Sequence, residues 1–270
     1  MSAATAPAAT RRTAPALACL SLLLPVPAAL AQAADPWPGR ADMRRAIEIE
    51  VQAVQSSRND VQIPNDARGT RFGLDGLTGG GAFPGVRLEV VWPVNARDEL
   101  RGLIAPLRAS GDAVLGGPVD FQGARFAAGA DTRADYRFDS YRLTWRRLVW
   151  STDTGALRLG LTGKVRDALI RLEQPGGGPS AQKTDTGFVP LLHAAWEQRL
   201  GERWRFVADI DALGGGQGRA IDAGLKLRYA IAPDWSASLS WRVLDGGADN
   251  GNLYNMARFQ FIGVGVQRRF

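Results

Sequence analysis

Residues 219–231 read RAIDAGLKLRYAI. Ile221, Ala223, Leu225, Leu227, Tyr229 and Ile231 share one parity, and Asp222, Gly224, Lys226, Arg228 and Ala230 share the other. Successive side chains of an extended chain point to opposite faces, so this is a strand with one apolar and one polar face. The pattern recurs outward in both directions. Trp235, Ala237, Leu239, Trp241 and Val243 oppose Ser236, Ser238, Ser240 and Arg242. Trp204, Phe206, Ala208 and Ile210 oppose Arg205, Val207, Asp209 and Asp211. Leu157, Leu159 and Leu161 face away from Arg158 and Thr162. Ile47, Ile49 and Val51 oppose Glu48, Glu50 and Gln52, and Val86, Leu88, Val90 and Trp92 oppose Arg87 and Glu89.

A soluble sandwich also alternates, so three further features decide. Connections alternate in length. Short ones fall near Asn95–Asp98, Ser151–Gly155, Leu200–Arg203 and Ala232–Asp234. Long Gly-rich ones fall near Ser56–Pro84, Ala109–Ala134, Glu173–Thr186, Gly214–Gly218 and Asp245–Asn255. Trp92, Trp150, Trp196, Trp204 and Trp235 all lie on the short-turn side, as expected of an indole belt at a membrane interface. Finally, Ile262, Val264, Val266 and the last residue, Phe270, face away from Gly263, Gly265, Gln267 and Arg269.

In that final strand the sequence resembles Gram-negative outer-membrane β-barrel proteins. The resemblance implies that Ile262, Val264, Val266 and Phe270 form a signal read by the barrel assembly machinery. Arg268 departs from the pattern, where an apolar or aromatic residue is usual; a long Arg can snorkel to headgroups. The resemblance covers the chain after the leading signal-like segment in pattern and about the last nine residues in detail.

Counting back from Phe270 places strands at about 257–270, 235–245, 219–231, 203–213, 187–199, 156–171, 135–150, 99–109, 85–95 and 44–56. The expected fold is therefore all-β: a transmembrane antiparallel up-and-down β-barrel of ten strands, with twelve as the alternative. Residues 119–126, VDFQGARF, read as part of a long outer hairpin or an extension above the bilayer. The first 33 residues read as a secretory signal: Arg11 and Arg12, an apolar core over Ala14–Leu30, then small residues up to Ala33. Residues 34–43 are expected to be a short periplasmic segment, and residues 44–270 the barrel. Export implies the Sec translocon, and the expected location is the outer membrane of a Gram-negative bacterium.

Mean hydropathy of −0.14 is then two faces cancelling. The single cysteine, Cys19, lies in the signal, and His193 is the only histidine, so no Cys-ligated or multi-histidine metal site is expected. Glycine runs at Gly79–Gly81, Gly176–Gly178 and Gly214–Gly216 lack the following Lys-Ser or Lys-Thr of a phosphate cradle. No metal or cofactor is expected. The chain carries 33 basic residues, only 3 of them lysine, against 27 acidic ones. The export signal and the interleaved acids argue against nucleic acid. The surplus arginine suits anionic lipopolysaccharide, outer-membrane lipids and lumen carboxylates.

An inward-facing charge network is expected from Arg137, Asp139, Arg142, Arg146, Lys164, Arg166, Lys226, Arg228 and Arg242, filling a narrow monomeric barrel. A general porin is disfavoured for that reason. Asp209, Asp211, Asp222, Asp245 and Asp249 are expected at the outer rim, able in principle to do acid–base chemistry or to bind Ca²⁺. Ten strands with rim carboxylates also resemble the omptin proteases. No position matches that family's Asp–His pair, because His193 is expected to face inward at mid-strand, so no catalytic residue is carried over. The expected function is a non-enzymatic barrel, surface or membrane-structural or a small-solute channel. The alternative is a rim enzyme acting on lipid A, phospholipid or peptide.

Overall fold

The computed structural model describes residues 43–216 and 218–270. The expected signal, and the expected periplasmic segment as far as residue 42, lie outside the described residues. The elements are β1 (Ala46–Gln62), β2 (Phe72–Gly73), α1 (Leu74–Leu77), β3 (Phe83–Pro93), β4 (Asp98–Ala105), β5 (Arg108–Val114), β6 (Val119–Phe121), β7 (Ala124–Phe126), β8 (Asp131–Ser151), β9 (Gly155–Glu173), β10 (Ser180–Arg199), β11 (Trp204–Gly215), β12 (Gly218–Ala232), β13 (Trp235–Asn250) and β14 (Leu253–Arg269).

Every neighbouring pair in the sheet is antiparallel, and β14 returns to pair with β1 from Ala46↔Arg269 to Gln62↔Tyr254, which closes a barrel. The barrel has ten staves: β1, β3, β4, β8, β9, β10, β11, β12, β13 and β14. Closure leaves no free edge strand among the ten staves, while the short β2 and β5 each pair on one side only. All ten strands expected from alternation are staves. β5 continues the β4 stave against β8 after a break at Pro106 and Leu107. Proline supplies no ladder N–H there. Asp139 repairs the break: it accepts from the Leu107 backbone N–H at 3.2 Å and from Arg108 Nη2 at 2.7 Å.

Burial inverts the usual rule. Ile49, Val51, Leu143, Leu161, Leu192, Leu239, Ile262 and Val264 are exposed, while Glu48, Glu50, Arg101, Arg142 and Arg158 are buried. A contiguous apolar belt of this size is stable only against a non-aqueous surround. Trp92, Trp150, Trp196, Trp204 and Trp235 are all exposed near the end where β1 begins and β14 finishes, called the terminal end below. Arg45 lies 3.7 Å over the Trp92 ring, and Arg268 lies 4.8 Å over Phe270 and 5.4 Å over Trp235. The departure at Arg268 is thus a cation–π contact within the belt.

At the terminal end the connections are short, as expected. At the far end three expectations need correction. Glu173–Thr186, Gly214–Gly218 and Asp245–Asn255 are not long loops: β9 and β10 are separated by residues 174–179, β11 and β12 by residues 216–217, and β13 and β14 by residues 251–252. Here the strands themselves extend past the belt. β8, β9 and β10 reach 21, 19 and 20 residues, about twice the 9–11 needed to span a bilayer. VDFQGARF forms the separate hairpin β6–β7, turned at Gln122 (φ 51°) and Gly123 (φ 78°), the left-handed pair that a tight hairpin turn requires. Phe121 and Phe126 are fully buried in an apolar cluster with Leu74, Leu77, Leu172 and Phe259. The hairpin and α1 therefore cap one side of the far mouth.

Candidate functional site

The lumen is crossed by paired charges. Nearest the terminal end, Glu99 accepts from Arg146 Nε at 2.5 Å and lies 3.0 Å from Arg158 Nε. Glu197 accepts from Arg158 Nη1 and Arg205 Nη1, each at 2.8 Å. Glu48 accepts from Lys226 Nζ at 2.7 Å, Arg228 Nη2 at 2.5 Å and Ser238 Oγ at 3.0 Å. Deeper in, Arg101 Nε lies 2.9 Å from Glu89 and its Nη2 3.5 Å from Asp209. Lys226 also pairs with Glu50. Arg142 donates to Asp211 at 2.9 Å and to Asp222, which Arg242 approaches at 3.3 Å.

Several of these pairs span the interior. Arg101 on β4 reaches Asp209 on β11, and Arg142 on β8 reaches Asp222 on β12, each four staves away around the ten. Charge-assisted, two-pronged arginine bonds satisfy groups that burial would otherwise penalise heavily. Gly263 and Gly265 on the inward face of β14 make room for this layer. A Cβ at Gly263 would sit 2.8 Å from Gln52 Cγ, and one at Gly265 2.7 Å from Ser238 Oγ and 2.8 Å from Glu50 Cγ.

Among the residues expected in the network, Arg142, Arg146, Lys164, Lys226, Arg228 and Arg242 lie in the lumen and are buried. Arg166 lies at its far mouth, paired with Asp185. Arg137 and Asp139 do not belong to it. They take the opposite parity of β8 from Arg142 and Arg146 and face outward, Arg137 to Asp167 at 3.0 Å and Asp139 to the β4–β5 break. Together with Asp167 they mark the height at which the outer wall turns polar. Glu48, Glu50, Arg87, Glu89, Arg158 and Arg205, read from the sequence only as polar-face residues, and Glu99, Arg101 and Glu197, which it does not name, also join the network; inward parity on their strands is the signal for all nine.

The expected rim cluster of five aspartates is dispersed. Asp211 and Asp222 are buried within the lumen, and Asp209 sits beside Arg101. Asp245 faces outward and is held by Arg219 Nη2 at 2.7 Å and Arg258 Nε at 2.5 Å, with Arg58 Nη2 at 4.0 Å. Asp249 accepts from Asn65 Nδ2 at 3.1 Å. No group of three or more His, Cys, Asp or Glu among the described residues could hold a metal ion.

His193 and Asp211 do pair, Nδ1 to Oδ1 at 2.8 Å, and Thr162 donates to the same carboxylate at 2.8 Å. His193 is 3 % exposed and Asp211 1 %. A general base must come within reach of a substrate proton. This pair sits inside the charge layer, with Arg142 and Arg101 occupying the remaining carboxylate positions.

Beyond the charge layer, the far mouth holds a cavity of about 510 Å³. Tyr136, Phe138 and Phe259 form one wall, stacked at centroid separations of 6.4 Å and 5.7 Å. Glycines of the β11–β12 and β13 ends form the other, and Lys164 and Arg166 also line it.

No protein-family profile and no curated protein matches the sequence. Among solved structures, the outer membrane protease OmpT from Escherichia coli superposes with a TM-score of 0.51 and 8% identity, covering 88% of this chain and 100% of that one. Ail, the attachment invasion locus protein of Yersinia pestis, gives 0.39 at 11% identity over 83% of this chain and 99% of its own. At such identities the likeness is one of fold alone. The chain thus shares with OmpT the fold of a closed antiparallel barrel, here of ten staves.

Proposed function

We propose that the protein is a non-enzymatic, monomeric barrel of a Gram-negative outer membrane, sealed to solute flow and acting at the cell surface or in stabilising the membrane. The seal carries the reading: buried ion pairs cross the lumen, joining staves four apart at Arg142–Asp222 and Arg101–Asp209 and three apart at Lys226–Glu48. A solute could pass only by breaking several of them at once, each at a cost of about 3–5 kcal/mol. This favours the surface reading over a small-solute channel. The burial of His193 and Asp211 among Arg101, Arg142 and Thr162 favours it over a rim enzyme. Arg58, Arg219 and Arg258, gathered by Asp245 on the outer wall, suit the phosphates of lipopolysaccharide. Reconstitution into planar bilayers tests the seal: the expected record shows no resolved conductance steps, and a steady ohmic conductance that scales with salt would overturn it.

A further inference from the structure

Lys164 is the lumen cation that the network leaves over. Its neighbours' carboxylates are committed: Asp222 to Arg142 and Arg242, Asp211 to Arg142, His193 and Thr162. Lys164 is 3 % exposed and, among the described residues, makes no hydrogen bond or ion pair. Asp222 attracts it without coming to ion-pair distance, Arg142, Arg166 and Arg242 repel it, and its ammonium stands 4.7 Å from the centroid of the Phe138 ring. A buried ammonium that keeps its charge normally has an anion beside it. Here, what lies beside it is the cavity of about 510 Å³ at the far mouth.

The rest of the cavity points the same way. Arg166 lines it next to Lys164 on the same face of β9, and its Nε is buried without a hydrogen-bond acceptor although the head group is paired with Asp185. The Tyr136–Phe138–Phe259 stack, Leu213 and Leu244 make the wall apolar. A largely apolar pocket of ~300–1,000 Å³ with a few convergent polar groups is the common form of a small-molecule site. The two donors next to the aromatic wall, the Lys164 ammonium and the Arg166 Nε N–H, match a single carboxylate.

We propose that this cavity binds an amphiphilic monocarboxylate, with its anionic head on Lys164 and Arg166 Nε and its apolar body against the aromatic stack. This goes beyond the sealed-barrel reading and does not depend on it. A conducting barrel could carry the same site, and a sealed one could lack it.

The test uses the full-length processed protein in phosphatidylcholine nanodiscs, because detergent would compete for the site. Calorimetric titration with 2-naphthoate and with octanoate compares the wild type with Lys164→Met and Lys164→Arg. Retention of unboiled gel mobility shows that each variant is folded. The expected result is one-to-one binding of at least one acid, weakened about tenfold or more in Lys164→Met and largely restored in Lys164→Arg. The neutral 2-naphthylmethanol should bind weakly and indifferently to both. A second variant, Ala220→Phe, fills the cavity while leaving Lys164 in place and should also abolish binding. Failure of both acids to bind the wild type would overturn the proposal, as would equal affinity in Lys164→Met. Planar-bilayer conductance on the same preparation reports separately on the seal.

Discussion

At the scale of single residues, the interior is governed by the cost of an unpaired charge. Glu99 receives both Arg146 and Arg158, and all three are buried. Glu99→Gln keeps the shape and removes the charge, so it should destabilise the barrel by about 3–5 kcal/mol. The check is the temperature at which unboiled gel mobility is lost. The double variant Glu99→Leu with Arg146→Leu should recover part of the loss, since Arg158 still keeps Glu197. Asp139 gives the contrast: its parity alone would leave it on the wall, and its burial comes from the strand break it repairs.

Single elements answer to the period of two. On β14 the inward positions opposite Glu50 and Gln52 are glycines because those long side chains lie across them. Gly265→Leu should therefore cost about 1–3 kcal/mol through overpacking, read as a lower urea midpoint for unfolding from liposomes. On β9 the outward Leu161 is 56 % exposed in the middle of the apolar belt. Leu161→Arg should cost ~2–4 kcal/mol if the belt faces hydrocarbon. The reverse change at the outward Arg171, Arg171→Leu, should be nearly neutral, because that height lies outside the belt and its ion pair with Glu173 is exposed. Equal effects at the two positions would place the membrane elsewhere. Residues 119–126 show where period alone stops. VDFQGARF alternates like a stave, yet the Gln122–Gly123 turn folds it into its own hairpin, with both phenylalanines beneath.

The whole molecule has two closures in series: the charge layer across the lumen, and the cap of α1 and β6–β7 over part of the far mouth. Only the first spans opposite walls. Replacing residues 119–126 by a Gly-Gly link should expose the apolar cluster and lower the melting temperature, yet leave planar bilayers non-conducting. A conductance appearing on removal of the hairpin alone would move the seal from the charges to the cap.

Alternation told the ten staves, their parity, the tryptophan belt and the polar interior directly from the sequence, because a strand's side chains alternate whatever surrounds them. The faces of Arg142, Lys164 and Lys226 were legible for that reason. The outward side of Arg137 and Asp139 was legible as well, being the opposite parity of β8. Partners were not. Which carboxylate meets which arginine depends on strands four staves apart, and on the stagger with which the sheet closes. Tertiary structure alone decided that Asp211 and Asp222 share Arg142 while Asp209, Asp245 and Asp249 take other partners, that Asp139 repairs a broken stave, and that Lys164 has no ion-pair partner at the floor of a largely apolar cavity. Pairing in a closed barrel is a property of the circumference, which no local period records.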